Sequence, residues 1–186
     1  MLTNLLLMTA LTVSAEPRSM PAVTVLNLDG KPVMSSAWTK NTATVLVFLS
    51  LDCPVANRYA PELRRLSDAY AKQRVQFIGV QAELDITVEQ AREHAKDFKL
   101  DFPIVLDPAG KLIAATGAEV MSEVVVIDAM GKIVYRGRID DRYTLKGKSR
   151  EKPRVRDLVL TLDAVIAGKS PPVAHQPAFG CPLPTQ

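Results

Sequence analysis

The sequence predicts an α/β protein: a central mixed sheet flanked by helices, parallel in its middle, with an N-terminal hairpin and a C-terminal helix followed by an extended tail. Three observations carry this. Two apolar runs, residues 44–49 and 75–81, suit strands buried on both faces. Segments with helical spacing follow each of them, as strands joined through helices require. Two late strands, residues 124–128 and 133–138, are joined by a turn at 129–132 and read as a hairpin, which makes the sheet mixed.

In chain order, the first fifteen residues, MLTNLLLMTALTVSA, carry no charge, hold an apolar run from Leu5 to Val13 and end in small residues at Ala15. They read as a signal peptide, residues 1–15, too short in its apolar part to span a bilayer. Residues 22–36, AVTVLNLDGKPVMSS, read as a hairpin turning at Asp29 and Gly30. After the strand at 44–49, apolar residues at Val55, Tyr59, Leu63, Leu66 and Tyr70 recur at helical spacing over 54–73. Pro54 suits the first helical position and Pro61 predicts a kink. Then come the strand at 75–81, a helix over 87–98, a short strand at 103–106, a brief helix over 110–115, the late hairpin and a helix over 154–167. From Ser170 the chain is proline-rich and lacks Asp, Glu, Lys and Arg, so residues 170–186, which carry Cys181, are expected to form an extended arm rather than a packed element.

The 186 residues are 47% hydrophobic and 23% charged, enough for one domain, residues 16–169, with a substantial core. The net charge of +3 is small, and the basic stretch at 146–156, KGKSREKPRVR, has no aromatic residue. It reads as solvated surface rather than as a nucleic-acid site. Export to the periplasm or beyond would permit a disulfide, and the chain has two cysteines, Cys53 and Cys181. Phosphate-cradling glycine loops, serine-hydrolase elbows and zinc-ligand clusters are absent from the sequence, and no cofactor or metal is implied.

The stretch FLSLDCPVANRYAPEL, residues 48–63, resembles the thioredoxin superfamily signature F-x-x-x-x-C-x-x-C-x-x-x-A-P-x-L. Phe48, Cys53, Ala60, Pro61 and Leu63 stand in register, and Ala56 replaces the second cysteine. Residues 97–119, DFKLDFPIVLDPAGKLIAATGAE, resemble redoxin-domain, peroxiredoxin-like proteins of the AhpC/TSA type. The two segments and the order of elements cover about residues 22 to 138. The extension, with GRIDDRY at 137–143 and Gly180-Cys181-Pro182 in the tail, resembles an exported bacterial subgroup of redoxin proteins. The resemblance implies a thioredoxin-like fold and thiol chemistry.

A helix beginning at Pro54 would place Cys53 at its N-terminus, where free backbone N–H groups favour a thiolate. Asp52 either opposes that charge or caps the helix, and Arg58 could favour it. Cys181 is read in two ways: as the thiol that resolves an oxidised Cys53, or as one end of a permanent staple contributing about 2 to 4 kcal/mol. Two features depart from the relatives. Leu46 stands at the peroxiredoxin proline position although Ser50 matches, and Met121-Ser122-Glu123 occupies the place of the thioredoxin cis-proline or the peroxiredoxin arginine. The Ser122 hydroxyl is a candidate partner for Cys53. His94 is expected on a helix surface, and His175 near Cys181 raises a weaker, copper-chaperone-like reading of the Sco type. The leading expectation is a thiol-based oxidoreductase with Cys53 redox-active and Cys181 resolving. Its partner would be a thiol or disulfide protein, or a peroxide. The alternative is a non-catalytic binding module stapled by Cys53 and Cys181.

Overall fold

Residues 43–49 are all buried, which explains why they show no polar alternation: the strand lies between two neighbours and is covered above and below. The computed structural model describes residues 18–144 and 147–184; the leader expected at 1–15 lies outside them. Its strands are β1 (Arg18–Ser19), β2 (Thr24–Asn27), β3 (Pro32–Met34), β4 (Ala43–Leu49), β5 (Val75–Gln81), β6 (Ile104–Leu106), β7 (Val124–Asp128), β8 (Lys132–Gly137) and β9 (His175–Gln176). Its helices are α1 (Pro54–Arg58), α2 (Ala60–Tyr70), α3 (Val88–Asp97), α4 (Lys111–Thr116) and α5 (Asp157–Ile166), with 3-10 turns at Ser35–Lys40 and Ala71–Gln73.

These strands form one sheet in the order β1-β8-β7-β4-β5-β6-β2-β3, with β9 also on β8. β4, β5 and β6 run parallel, and β7 and β8 close the sheet antiparallel on the other side of β4. The mixed sheet, the hairpin turning at Asp29-Gly30 and the parallel centre agree with the sequence reading. Alternate residues of β4 feed the two halves of the core. Val45, Val47 and Leu49 pack with Leu63 and Leu66 of α2 and Leu158 and Leu162 of α5. Leu46 and Phe48 pack on the opposite side with Trp38, Ile78, Leu112 and Val125. This second cluster also holds Cys53, Ala56, Met121 and Leu183, so the site grows directly out of one face of the sheet.

The structure corrects four expectations of layout. The single helix over 54–73 is two helices broken at Tyr59, two residues before Pro61. Proline supplies no N–H and clashes with a carbonyl of the preceding turn, so the chain restarts its helix with Pro61 in the first turn of α2, where no donor is needed. Tyr59 turns inward at the break and donates from its hydroxyl to Asp140 Oδ1 at 2.7 Å. The last helix begins at Asp157 rather than Arg154, because Asp141 Oδ1 accepts from the N–H groups of Arg154 and Val155 and holds them in a turn. The tail is extended but docked: His175 and Gln176 add a parallel strand to β8, and Val120 bridges Pro182 antiparallel. Finally, β1 pairs with the other half of β8, an element too short to leave a periodic signal.

Candidate functional site

Cys53 is the N-cap residue of α1 and only 2% exposed. The loop that delivers it from β4 is held at each residue. Ser50 Oγ accepts from the N–H groups of Asp52 (3.3 Å) and Cys53 (3.2 Å), and Leu51 N–H donates to Glu83 Oε1 at 2.8 Å. The Leu51 carbonyl accepts from Asn57 Nδ2 at 2.9 Å, tying the loop to the first turns of α1. The cap position belongs to Cys53 itself and not to the carboxylate of Asp52.

Asn57 is fixed in turn by His94, whose Nε2 lies 2.8 Å from Asn57 Oδ1 while Nδ1 lies 3.0 Å from Gln81 Nε2. This corrects the expected surface position of His94, which is 6% exposed. Its side of α3 turns onto the end of β5, where Gln81 supplies a buried polar partner. With Gln81 donating to Nδ1, the ring is neutral and carries its proton on Nε2. Burial holds the histidine pKa below its ordinary value, against the pull of Glu83, Asp97 and Asp52.

The tail reaches the other side of Cys53. Met121 N–H donates to the Cys181 carbonyl at 2.7 Å and Leu183 N–H donates to the Glu119 carbonyl at 2.9 Å, so residues 181–183 run as an extra extended strand along residues 119–121. Leu183 is buried beneath it. That backbone is shaped by buried Glu123, whose Oε2 accepts from the N–H groups of Glu119 (2.7 Å) and Val120 (3.4 Å) while Oε1 pairs with Arg136 Nε at 3.4 Å. Ser122 has φ +76°, and its hydroxyl donates to the Phe179 carbonyl at 3.2 Å. The serine therefore holds the tail and is not the hydrogen-bond partner expected for Cys53. Gly180 passes so close to this edge that a Cβ there would sit 1.9 Å from the Met121 carbonyl oxygen. Phe179 stacks on Tyr143 at 6.3 Å between ring centroids, and Tyr143 meets Tyr59 edge-on at 5.6 Å.

This docking brings the two free thiols, 128 positions apart in sequence, into one cluster, with Cys181 packed against the group that holds Cys53. Burial alone would raise the pKa of Cys53. The Cys181 thiol and the backbone N–H groups of Ala56, Cys181 and Val55 outweigh it and hold the pKa below the ordinary value. Burial, followed by the neighbouring Cys53, pushes Cys181 up to about 11. The pair is thus asymmetric: of the two sulfurs, the one at the helix start loses its proton more readily than the one on the tail.

Sequence reasoning named both cysteines, met Glu123 and Gly180 without seeing their roles, missed Asn57, and put His94 on the surface. The register of the signature marks Cys53, whereas the roles of the others depend on neighbours distant in sequence. His175 lies 3.3 Å from Arg136 and lines the path of the tail. Among the described residues no group of three or more His, Cys, Asp or Glu side chains could hold a metal ion, which leaves the copper-chaperone-like reading without a ligand set. No described helix is long and apolar enough to cross a membrane.

The sequence model of the Redoxin family matches residues 15–151. Among curated proteins, the thiol-disulfide oxidoreductase ResA of Halalkalibacterium halodurans is 28% identical over 114 residues, which is 61% of this chain and 57% of that protein. The chain thus spans somewhat over half the length of that relative. Among solved structures, a conserved protein from Geobacillus kaustophilus superposes with a TM-score of 0.81 at 24% identity, covering 91% of this chain and 92% of that one. The thioredoxin domain of a thiol-disulfide oxidoreductase from Bacteroides vulgatus superposes with a TM-score of 0.58 at 21% identity, covering 66% and 88%. These likenesses establish the thioredoxin-like fold.

Proposed function

The chain belongs to the Redoxin family, and we propose that on this scaffold Cys53 and Cys181 form a reversible dithiol–disulfide couple that exchanges with a thiol or disulfide partner outside the cytoplasm. The observation that carries the reading is the docking of the tail, which sets Cys181 against the cluster that holds Cys53 at the start of α1. A sulfur whose thiolate is favoured, with a second thiol beside it, is the arrangement through which a disulfide passes to or from a partner. The similarity to ResA, itself a thiol-disulfide oxidoreductase, points the same way.

A disulfide is favoured over a peroxide as the oxidant for two reasons. Leu46, at the peroxiredoxin proline position, is buried in the middle of β4 and cannot shape a peroxide pocket. The Ser122 hydroxyl, at the place of the peroxiredoxin arginine, is spent on the Phe179 carbonyl and is not free to hold a peroxide. Export is part of the reading, because the couple requires a compartment in which disulfides persist.

Equilibrating the oxidised chain with glutathione buffers and quantifying the Cys53–Cys181 bond by alkylation and mass spectrometry tests the proposal. An exchanging couple opens at a potential above about −300 mV. A bond that stays closed below that potential would make it a structural staple, and the scaffold a binding module.

A further inference from the structure

Resting on the Cys53–Cys181 couple, we propose that Cys181 is the sulfur through which the couple meets its partner, and that Cys53 is the inner sulfur that leaves. Access decides the roles. Cys53 is 2% exposed and lies among Ala56, Met121 and Leu183, beneath the tail, whereas Cys181 is partly exposed. The tail is pinned on both sides of Cys181, by Ser122 at Phe179, by Met121 at Cys181 itself and by Glu119 at Leu183. In the oxidised chain a partner reaching for Cys53 would have to pass beneath a tail that the disulfide itself, with these contacts, holds down. A partner reaching for Cys181 finds it presented with the tail in place.

In the oxidised chain, the thiolate of a partner attacks the Cys181 sulfur. The Cys53–Cys181 bond breaks, its electron pair goes to Cys53, and a partner–Cys181 mixed disulfide forms. A second thiolate of the partner then attacks the partner's own sulfur and releases Cys181, which takes a proton from water. The partner has lost two electrons to become a disulfide, and the chain has gained them as a thiolate at Cys53 and a thiol at Cys181. The chemistry agrees with the access: a stabilised thiolate is the better leaving group, and the helix start stabilises Cys53. Run in this direction, the step takes as its partner a protein that carries a dithiol within reach of the partly exposed Cys181 sulfur.

The test uses the full oxidised chain and glutathione as a single-thiol probe, with acid quenching after short times, alkylation of free thiols and peptide mapping. The expected product carries glutathione on Cys181 and the alkyl group on Cys53, in at least about tenfold excess over the reverse isomer, because both access and leaving-group strength favour it. The reverse isomer in excess would overturn the assignment while leaving the couple intact. Failure of the two cysteines to form any bond under oxidation would overturn the assignment and the couple together.

Discussion

Replacing Gly180 by alanine tests how closely the tail must approach the edge beside Cys53. The added Cβ would lie 1.9 Å from the Met121 carbonyl oxygen and 3.1 Å from Ser122 Oγ, and the nearer atom is backbone that cannot rotate away. In the reduced chain the tail relieves the clash by lifting, and loses at most its docking contacts. Those are three hydrogen bonds, worth about 1 kcal/mol each, the burial of Leu183, worth about 2 kcal/mol, and the stack of Phe179 on Tyr143, worth about 1 kcal/mol. About five freed residues regain roughly 1 kcal/mol or more each in backbone entropy, so docking is close to balanced and lifting costs little. In the oxidised chain the bond holds Cys181 at Cys53 and the clash stays. The substitution therefore destabilises the disulfide relative to the dithiol. A clash relaxed to about 2 kcal/mol raises the reduction potential by about 45 mV, since 30 mV corresponds to about 1.4 kcal/mol for two electrons. Glutathione titration of both forms measures this directly, with thermal unfolding of the reduced forms as a check that the domain is unharmed. An unchanged potential would refute the argument, because it would mean that oxidation does not require Gly180 to lie against Met121.

Three further outcomes follow from the loop and its supports. Asn57→Ala removes the donor to the Leu51 carbonyl and the acceptor for His94, and should cost about 1 to 3 kcal/mol in chemical denaturation, with faster hydrogen exchange at Leu51 to Cys53; unchanged exchange there would count against the tether. His94 has a depressed pKa when folded, so its contribution is complete above the unfolded-state value near 6.5 and is lost as pH falls through it. Between pH 8 and 5.5 the wild type should therefore lose more stability than His94→Gln, and parallel losses would refute a buried neutral ring. Tyr59→Phe deletes the bond to buried Asp140 at the helix break and should cost about 2 kcal/mol, while the glutathione equilibrium of the cysteine pair stays where it was.

Local pattern made much of the fold legible. The bounds of β5 and β7 could be read to the residue because each is a mainly apolar, buried segment closed by a polar residue, Gln81 or Asp128, and the turn at Asp29-Gly30 carries its own chemistry. Cys53 was legible because the spacing from Phe48 to Pro61 is a matter of one strand end and one helix start. Tyr59 as a break point was not, since Pro61 announces an interruption without saying on which residue it falls. His94 was misread because a histidine on a polar helix looks exposed until Gln81, on a strand that ends beneath it, offers a partner. β1 and β9, of two residues each, exist only because β8 presents an edge to both.

The loss of the second cysteine at Ala56 changes what the redox reaction does to the chain. Two cysteines within one helical turn stay close whether oxidised or reduced, because the helix holds them. Here the second sulfur hangs on the tail five residues beyond Gln176, the end of β9, and its nearness to Cys53 depends on weak docking. A flexible tether of that length by itself supplies an effective concentration in the millimolar range, and each docking contact multiplies it. The docking contacts therefore set the potential of the couple as directly as the thiolate does. By linkage, whatever displaces residues 179–183 from the edge at 119–122 makes the disulfide easier to reduce, and forming the disulfide tightens the tail on that edge by the same free energy.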